Sequence, residues 1–256
     1  VRGAVNFSLK IKIPAFIVSL TVVALGTSAP ELLVAIRAIL DNSPGIALGN
    51  VVGSNIANVF LVLGIPALIA GINTREFNTR KNYVFMMIAT VIFLSLAFIG
   101  NFSLLQGILF LILLALFLLI TARDTLKMQN KTSNLEVENA DPTLVFWKII
   151  LFLSLGFIGL PIGADILVKN ASFIAKSYGL SDEVIGLTLV ALGTSLPELA
   201  TTLMAALRKQ ADVALGNVIG SNIFNLFAII GITTMFGDIP IAPSFFNFDF
   251  WIMFGA

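Results

Sequence analysis

Thr21–Glu31 reads TVVALGTSAPE, and Thr188–Glu198 reads TLVALGTSLPE. A second pair follows: Ala47–Asn58 is ALGNVVGSNIAN and Ala214–Asn225 is ALGNVIGSNIFN. Both pairs are offset by 167 positions, and the 15 residues between the two blocks differ in identity but not in number. Within the blocks 19 of 23 positions are identical, so the chain contains two copies of one unit. Close helix packing in a membrane would explain repeated Gly, Ala and Ser. It does not explain repeated Glu, Asn and Pro, which mark a functional site where the copies meet.

The surrounding composition fixes the solvent. Of 256 residues 58% are hydrophobic and 11% charged, with a mean hydropathy of +1.01, whereas a soluble domain carries roughly a quarter charged residues. Apolar runs long enough to span a bilayer, about 20 residues each, recur from Lys12 onward with no soluble-looking block between them. The fold class expected is an all-α membrane protein surrounded by lipid. A net charge of +1 offers no basic field for nucleic acid. There is no histidine to shuttle protons or bind metal near neutral pH, and no cysteine for a disulfide, thiolate site or nucleophile. The first residues, VRGAVNFSLKIK, lack the apolar core of a signal peptide.

Expected helices are Pro14 to Ile39, Gly45 to Ala70, Tyr83 to Ile99, Ser103 to Thr121, Leu144 to Asn170, Glu183 to Leu207, Val213 to Phe236 and Phe248 onward. Aligning the copies pairs Val1 with Val168 and Ala256 with Ala89, which predicts one further helix before Val1 and one after Ala256. Two inverted five-helix repeats follow, ten helices in all, about eight of them here. The expected units are 1–122 (first repeat), 123–142 (a polar linker) and 143–256 (second repeat).

An odd helix count per copy turns the second copy upside down, and charge tests this independently. With loops assigned alternately, 12 Lys and Arg fall on one side; Arg37, Lys169 and Lys176 alone fall on the other. The positive-inside rule then puts the linker in the cytoplasm.

Glu31 and Glu198 lie within apolar helices, where an ionised carboxylate costs several kcal/mol, and neither has a basic residue nearby on its helix. A bound cation is the natural partner. Each follows Gly-Thr-Ser-x-Pro, and a mid-helix proline would free the carbonyl four residues upstream, that of Gly26 or Gly193. Ser54 and Asn58, like Ser221 and Asn225, lie four apart on one face and add neutral oxygens. Such an oxygen-rich, irregular site suits Ca²⁺, which takes about six to eight oxygens, better than Mg²⁺, with Na⁺ competing for the same oxygens. Gly49, Gly53, Gly216 and Gly220 form GxxxG pairs expected to pack helices closely. Asp165 is left between a functional role and an interfacial carboxylate, and Asp249 and Asn82 are expected as helix caps. The chain is not expected to be an enzyme, because its serines have no histidine base and Asp165 alone makes no aspartyl dyad. A cation channel is the competing class, since broken polar helices also line pores.

The paired Gly-Thr-Ser-x-Pro-Glu and Gly-Asn-x-x-Gly-Ser-Asn-Ile blocks resemble the α-repeats of the calcium/cation antiporter superfamily, in particular its prokaryotic sodium/calcium exchanger branch. The resemblance implies secondary active exchange of Ca²⁺ for Na⁺ by alternating access in a prokaryotic plasma (inner) membrane. It implies no cofactor and function as a monomer. One peripheral helix from each half, Leu144 to Asn170 in the second, would slide over a stationary core. Carried onto matching positions, the family's calcium site is Glu31 and Glu198 with the carbonyls of Thr27 and Thr194. Its sodium sites are the carbonyls of Ala24 and Ala191 with Ser28, Ser54, Ser195 and Ser221, and its central positions are Asn58 and Asn225. Sodium-driven members often carry an aspartate at a central position, whereas both are asparagine here, so exchange of Ca²⁺ for H⁺ stays open as the alternative.

Overall fold

The computed structural model describes residues 3, 6–7, 10, 13, 15–72, 80–129, 144–179 and 182–256. Much of the expected linker lies outside these residues, but the Leu104–Gln129 helix extends into its first part. Among the described residues five spans are long and apolar enough to cross a membrane: Phe16–Leu40, which is interrupted at Ser28, Pro44–Ala70, Arg80–Ala97, Leu104–Asp124 and Ala211–Thr233. Leu187–Thr194 and Leu196–Leu207 are an apolar pair bent by 47° at the break between them, and taken together they are long enough for a sixth span. Phe146–Ser177 is one 32-residue helix opening on an apolar stretch, Phe146–Gly159. The helix expected from Phe248 onward is only Asp249–Gly255, preceded by a separate turn, Ser244–Asn247.

The duplication is reproduced in the backbone. Ala29–Leu40 and Leu196–Leu207 stand 167 residues apart, as do Pro44–Ala57 and Ala211–Phe224. So do two wide π turns, Ser19–Val23 and Gly186–Val190, and a second pair begins at Asn58 and Asn225. Even the corners match: Asn42 and Lys209 are the two non-glycine residues with positive φ among those described, at 54° and 57°.

Each copy packs on the other. A Cβ on Gly53 would lie 2.4 Å from the Leu187 carbonyl oxygen and 2.7 Å from the Ala191 Cβ; on Gly220 it would lie 2.3 Å from the Leu20 oxygen and 2.7 Å from the Ala24 Cβ. The two contacts exchange under the 167-residue offset, which is the signature of a two-fold relation. The glycines therefore let the second block of each copy lie directly on the first block of the other, as the GxxxG spacing led one to expect. Ala211–Thr233 is the innermost span, 94% buried in its most apolar window.

Three local expectations are corrected. Pro30 and Pro197 are not in mid-helix: each lies in the first turn of a new helix after a break at Ser28 or Ser195. There a missing N–H costs nothing, so proline starts the second half-helix rather than distorting a continuous one. Neither expected cap forms, since Asn82 lies inside Arg80–Ala97 and Asp249 follows Phe248, the capping residue, with no side-chain cap bond. The all-α chain also contains a two-residue antiparallel ribbon joining its halves, in which Asn101 pairs with Pro240 and Phe102 with Ile239. Beneath it the rings of Phe93, Phe102 and Phe110 are fully buried and pack on one another.

Candidate functional site

The two helix breaks face each other at the repeat interface. Glu31 begins the half-helix Ala29–Leu40 and Glu198 begins Leu196–Leu207, and both side chains are fully buried. Among the described residues no basic side chain pairs with either glutamate, whereas Arg37 with Asp41 and Lys81 with Asp124 form exposed ion pairs. Ser28, Ser54, Asn58, Ser195, Ser221 and Asn225 are buried, as are Ala24, Thr27, Ala191 and Thr194. Every site residue proposed from the sequence is thus buried. Asp165 is not described at the side-chain level.

The hydrogen bonds are unequal in the two halves. Ser28 Oγ, from the first copy, donates to Glu198 Oε1 at 3.1 Å, and Ser221 Oγ donates to the same oxygen at 3.4 Å. Glu198 Oε2, both carboxylate oxygens of Glu31 and the hydroxyls of Ser54 and Ser195 have no hydrogen-bond partner. Asn58 Nδ2 donates to Asn222 Oδ1 at 2.9 Å, leaving Asn58 Oδ1 unpartnered; Asn225 has no partner at either side-chain atom. Buried polar atoms are ordinarily satisfied, so a concentration of orphaned oxygens marks a place where a ligand or water can be held. Carboxylate, hydroxyl and amide oxygens together form a donor set for a hard cation.

The backbone oxygens are differently placed. The Ala24 carbonyl accepts from Ser28 N at 3.0 Å and from Thr27 Oγ1 at 3.3 Å. The Ala191 carbonyl accepts from Ser195 N at 3.0 Å and from Thr194 Oγ1 at 3.3 Å. Each threonine hydroxyl has one proton and also reaches an asparagine oxygen of the opposite copy, so donating there leaves the carbonyl a lone pair for a cation.

Two residues that the sequence reading passed over complete the site. Asn50 Nδ2 donates to the Glu31 carbonyl at 3.2 Å, and Asn50 Oδ1 accepts from Thr194 Oγ1 at 3.0 Å. Asn217 does the same in the other half, donating to the Glu198 carbonyl at 3.4 Å and accepting from Thr27 Oγ1 at 3.4 Å. Both were visible as identical positions inside the repeated blocks; what hid them was the absence of any reason, in one dimension, to connect them to the opposite copy.

Comparison with known proteins places this architecture. The family model described as sodium/calcium exchanger protein matches residues 1–123 and 148–256. The chain is 38% identical over 242 residues to the uncharacterized membrane protein MJ0091 of Methanocaldococcus jannaschii, covering 94% of this chain and 77% of that one. It is 34% identical to the sodium/calcium exchanger MaX1 of Methanosarcina acetivorans, covering 94% of this chain and 79% of the relative. Among solved structures, the sodium-calcium exchanger NCX_Mj soaked with Na⁺ and Sr²⁺ superposes with a TM-score of 0.79 at 33% identity, covering 98% of this chain and 80% of that chain. With the family model spanning nearly the whole sequence and the duplicated site intact, this chain belongs to the sodium/calcium exchanger protein family.

Proposed function

We propose that this protein is a secondary active antiporter that exchanges Ca²⁺ for Na⁺ by alternating access, with Glu31 and Glu198 carrying the divalent ion between the two helix breaks. The observation that carries the reading is Glu31: a fully buried carboxylate with no basic partner and no hydrogen bond to either oxygen. Ionised, a carboxylate so placed requires a cation beside it; otherwise it must take up a proton, and the neighbouring hydroxyl and amide oxygens favour the cation. Ca²⁺ fits the mixture of charged and neutral oxygens, and the serine and asparagine oxygens could hold Na⁺ once Ca²⁺ leaves. Both carboxylates come from one chain, which supports a monomer as the working unit. The 12 to 3 split of basic residues supports a cytoplasmic 123–142 linker, and the archaeal relatives support a prokaryotic plasma membrane.

The test loads vesicles containing the full-length protein with Na⁺ and follows ⁴⁵Ca²⁺ uptake after dilution into sodium-free buffer, with and without a protonophore. The expected result is uptake that requires the sodium gradient, ignores the protonophore and is abolished by Glu31→Gln. Uptake by Glu31→Gln equal to wild type would sink the assignment.

A second reading, Ca²⁺/H⁺ exchange, rests on Asn58 and Asn225: with amides at both central positions the buried site holds two carboxylates, enough for one Ca²⁺ but sparse for several Na⁺. Uptake driven by an imposed pH gradient in the absence of sodium would favour it.

A further inference from the structure

We infer that Asn50 and Asn217 are positioning residues that set the aperture of the site and thereby its selectivity among divalent ions; the inference rests on the antiporter reading above. Each asparagine joins one half-site to the other. Asn50 ties the backbone at Glu31, in the first copy, to the Thr194 hydroxyl of the second; Asn217 ties the backbone at Glu198 to the Thr27 hydroxyl of the first. The four residues held are the ones proposed to surround Ca²⁺, and each brace crosses the repeat interface. Both asparagines are fully buried, so water does not compete for these bonds.

The chemistry needs an amide. The Glu31 carbonyl can only accept, so the Asn50 atom 3.2 Å from it must be the NH₂ group, and the oxygen then faces Thr194. An aspartate would set an oxygen against a carbonyl, and an alanine would remove the bridge, leaving Thr194 Oγ1 only the Ala191 carbonyl of its own copy. The braces are also unequal. Asn217 Nδ2 donates additionally to Thr202 Oγ1 at 3.1 Å, whereas the position equivalent to Thr202 is Ala35, which has no hydroxyl. Thr202 is outside the proposed ligand set, so it changes the brace without touching the ion.

A merely structural asparagine would lower the amount of active protein and so the maximal rate for every ion alike. An aperture-setting asparagine changes the relative KM of ions of different radius. The experiment measures KM and maximal rate for Ca²⁺, Sr²⁺ and Ba²⁺ uptake by the full-length protein, comparing wild type with Asn50→Ala, Asn217→Ala and Thr202→Val. Loss of a buried hydrogen bond is expected to shift the Ca²⁺ to Ba²⁺ KM ratio by about tenfold in each asparagine variant. Thr202→Val, which preserves shape, is expected to move the ratio in the same direction as Asn217→Ala but by about threefold. Asn50→Asp should fail to restore the wild-type ratio. An unchanged ratio in the asparagine variants, or in Thr202→Val if those do not fold, refutes the inference while the wild type still transports Ca²⁺. A wild type that takes up no Ca²⁺ under either a sodium or a proton gradient refutes the antiporter reading itself, and this one with it.

Discussion

Replacing Gly220 by alanine tests whether the two copies interlock as described. The new Cβ would stand 2.3 Å from the Leu20 carbonyl oxygen and 2.7 Å from the Ala24 Cβ. Ordinary contact begins at 3.4 Å, so the carbonyl must retreat by about 1 Å. That oxygen belongs to backbone inside the Ser19–Val23 π turn and cannot rotate aside as a side chain would. Overpacking of this kind costs about 1–3 kcal/mol. At about 2–4 °C per kcal/mol for a chain of this size, the melting temperature should fall by about 2–12 °C. The displaced segment leads directly into Ala24 and Thr27, so the site should open along with the interface. Thermal unfolding monitored by size-exclusion fluorescence, with ⁴⁵Ca²⁺ uptake on the same preparations, reads both effects. Gly156→Ala is the control, because nothing lies within 4 Å of its Cβ position. If Gly220→Ala melts and transports like Gly156→Ala, the two-fold packing argument is wrong.

Other outcomes follow from the same geometry. Gly26→Ala would bring a Cβ to 2.2 Å from the ring edge of Phe157, on the Phe146–Ser177 helix, but a ring can swing away; its melting point should therefore drop less than that of Gly220→Ala, with a cost below about 1 kcal/mol. Asn42 holds a left-handed corner at φ 54°; Asn42→Ala should destabilise by about 1 kcal/mol, since alanine lacks the local hydrogen bonding that makes this region tolerable, and Asn42→Gly should not. Thermal melts of the pair decide it.

The helices, the duplication and the glutamates were legible because they depend on composition and on an offset that can be counted. Hydrophobic runs report burial in lipid wherever they fold, and a carboxylate inside one is conspicuous without coordinates. The half-helix at Pro30 was misread because a proline in an apolar run looks alike whether it kinks a helix or starts one; the deciding fact is the backbone at Ser28, with φ −83° and ψ 6°. The ribbon between Asn101–Phe102 and Ile239–Pro240 was illegible for another reason: two residues make no period, and their partners are far apart in the chain.

By itself the sequence determined a membrane chain, two copies of one unit, and the side chains each copy brings to the interface. Tertiary structure alone decided how the copies meet: which glycine lies on which carbonyl, that Asn50 reaches Thr194 and Asn217 reaches Thr27, and that Ser28 and Ser221 both serve Glu198 while Glu31 has no donor. A repeat specifies two nearly identical half-sites, and the counterparts of Ser28 and Ser221, which are Ser195 and Ser54, are present but make no bond to Glu31. The inequality between the glutamates therefore arises from packing, where identical residues in the two halves end up with different partners.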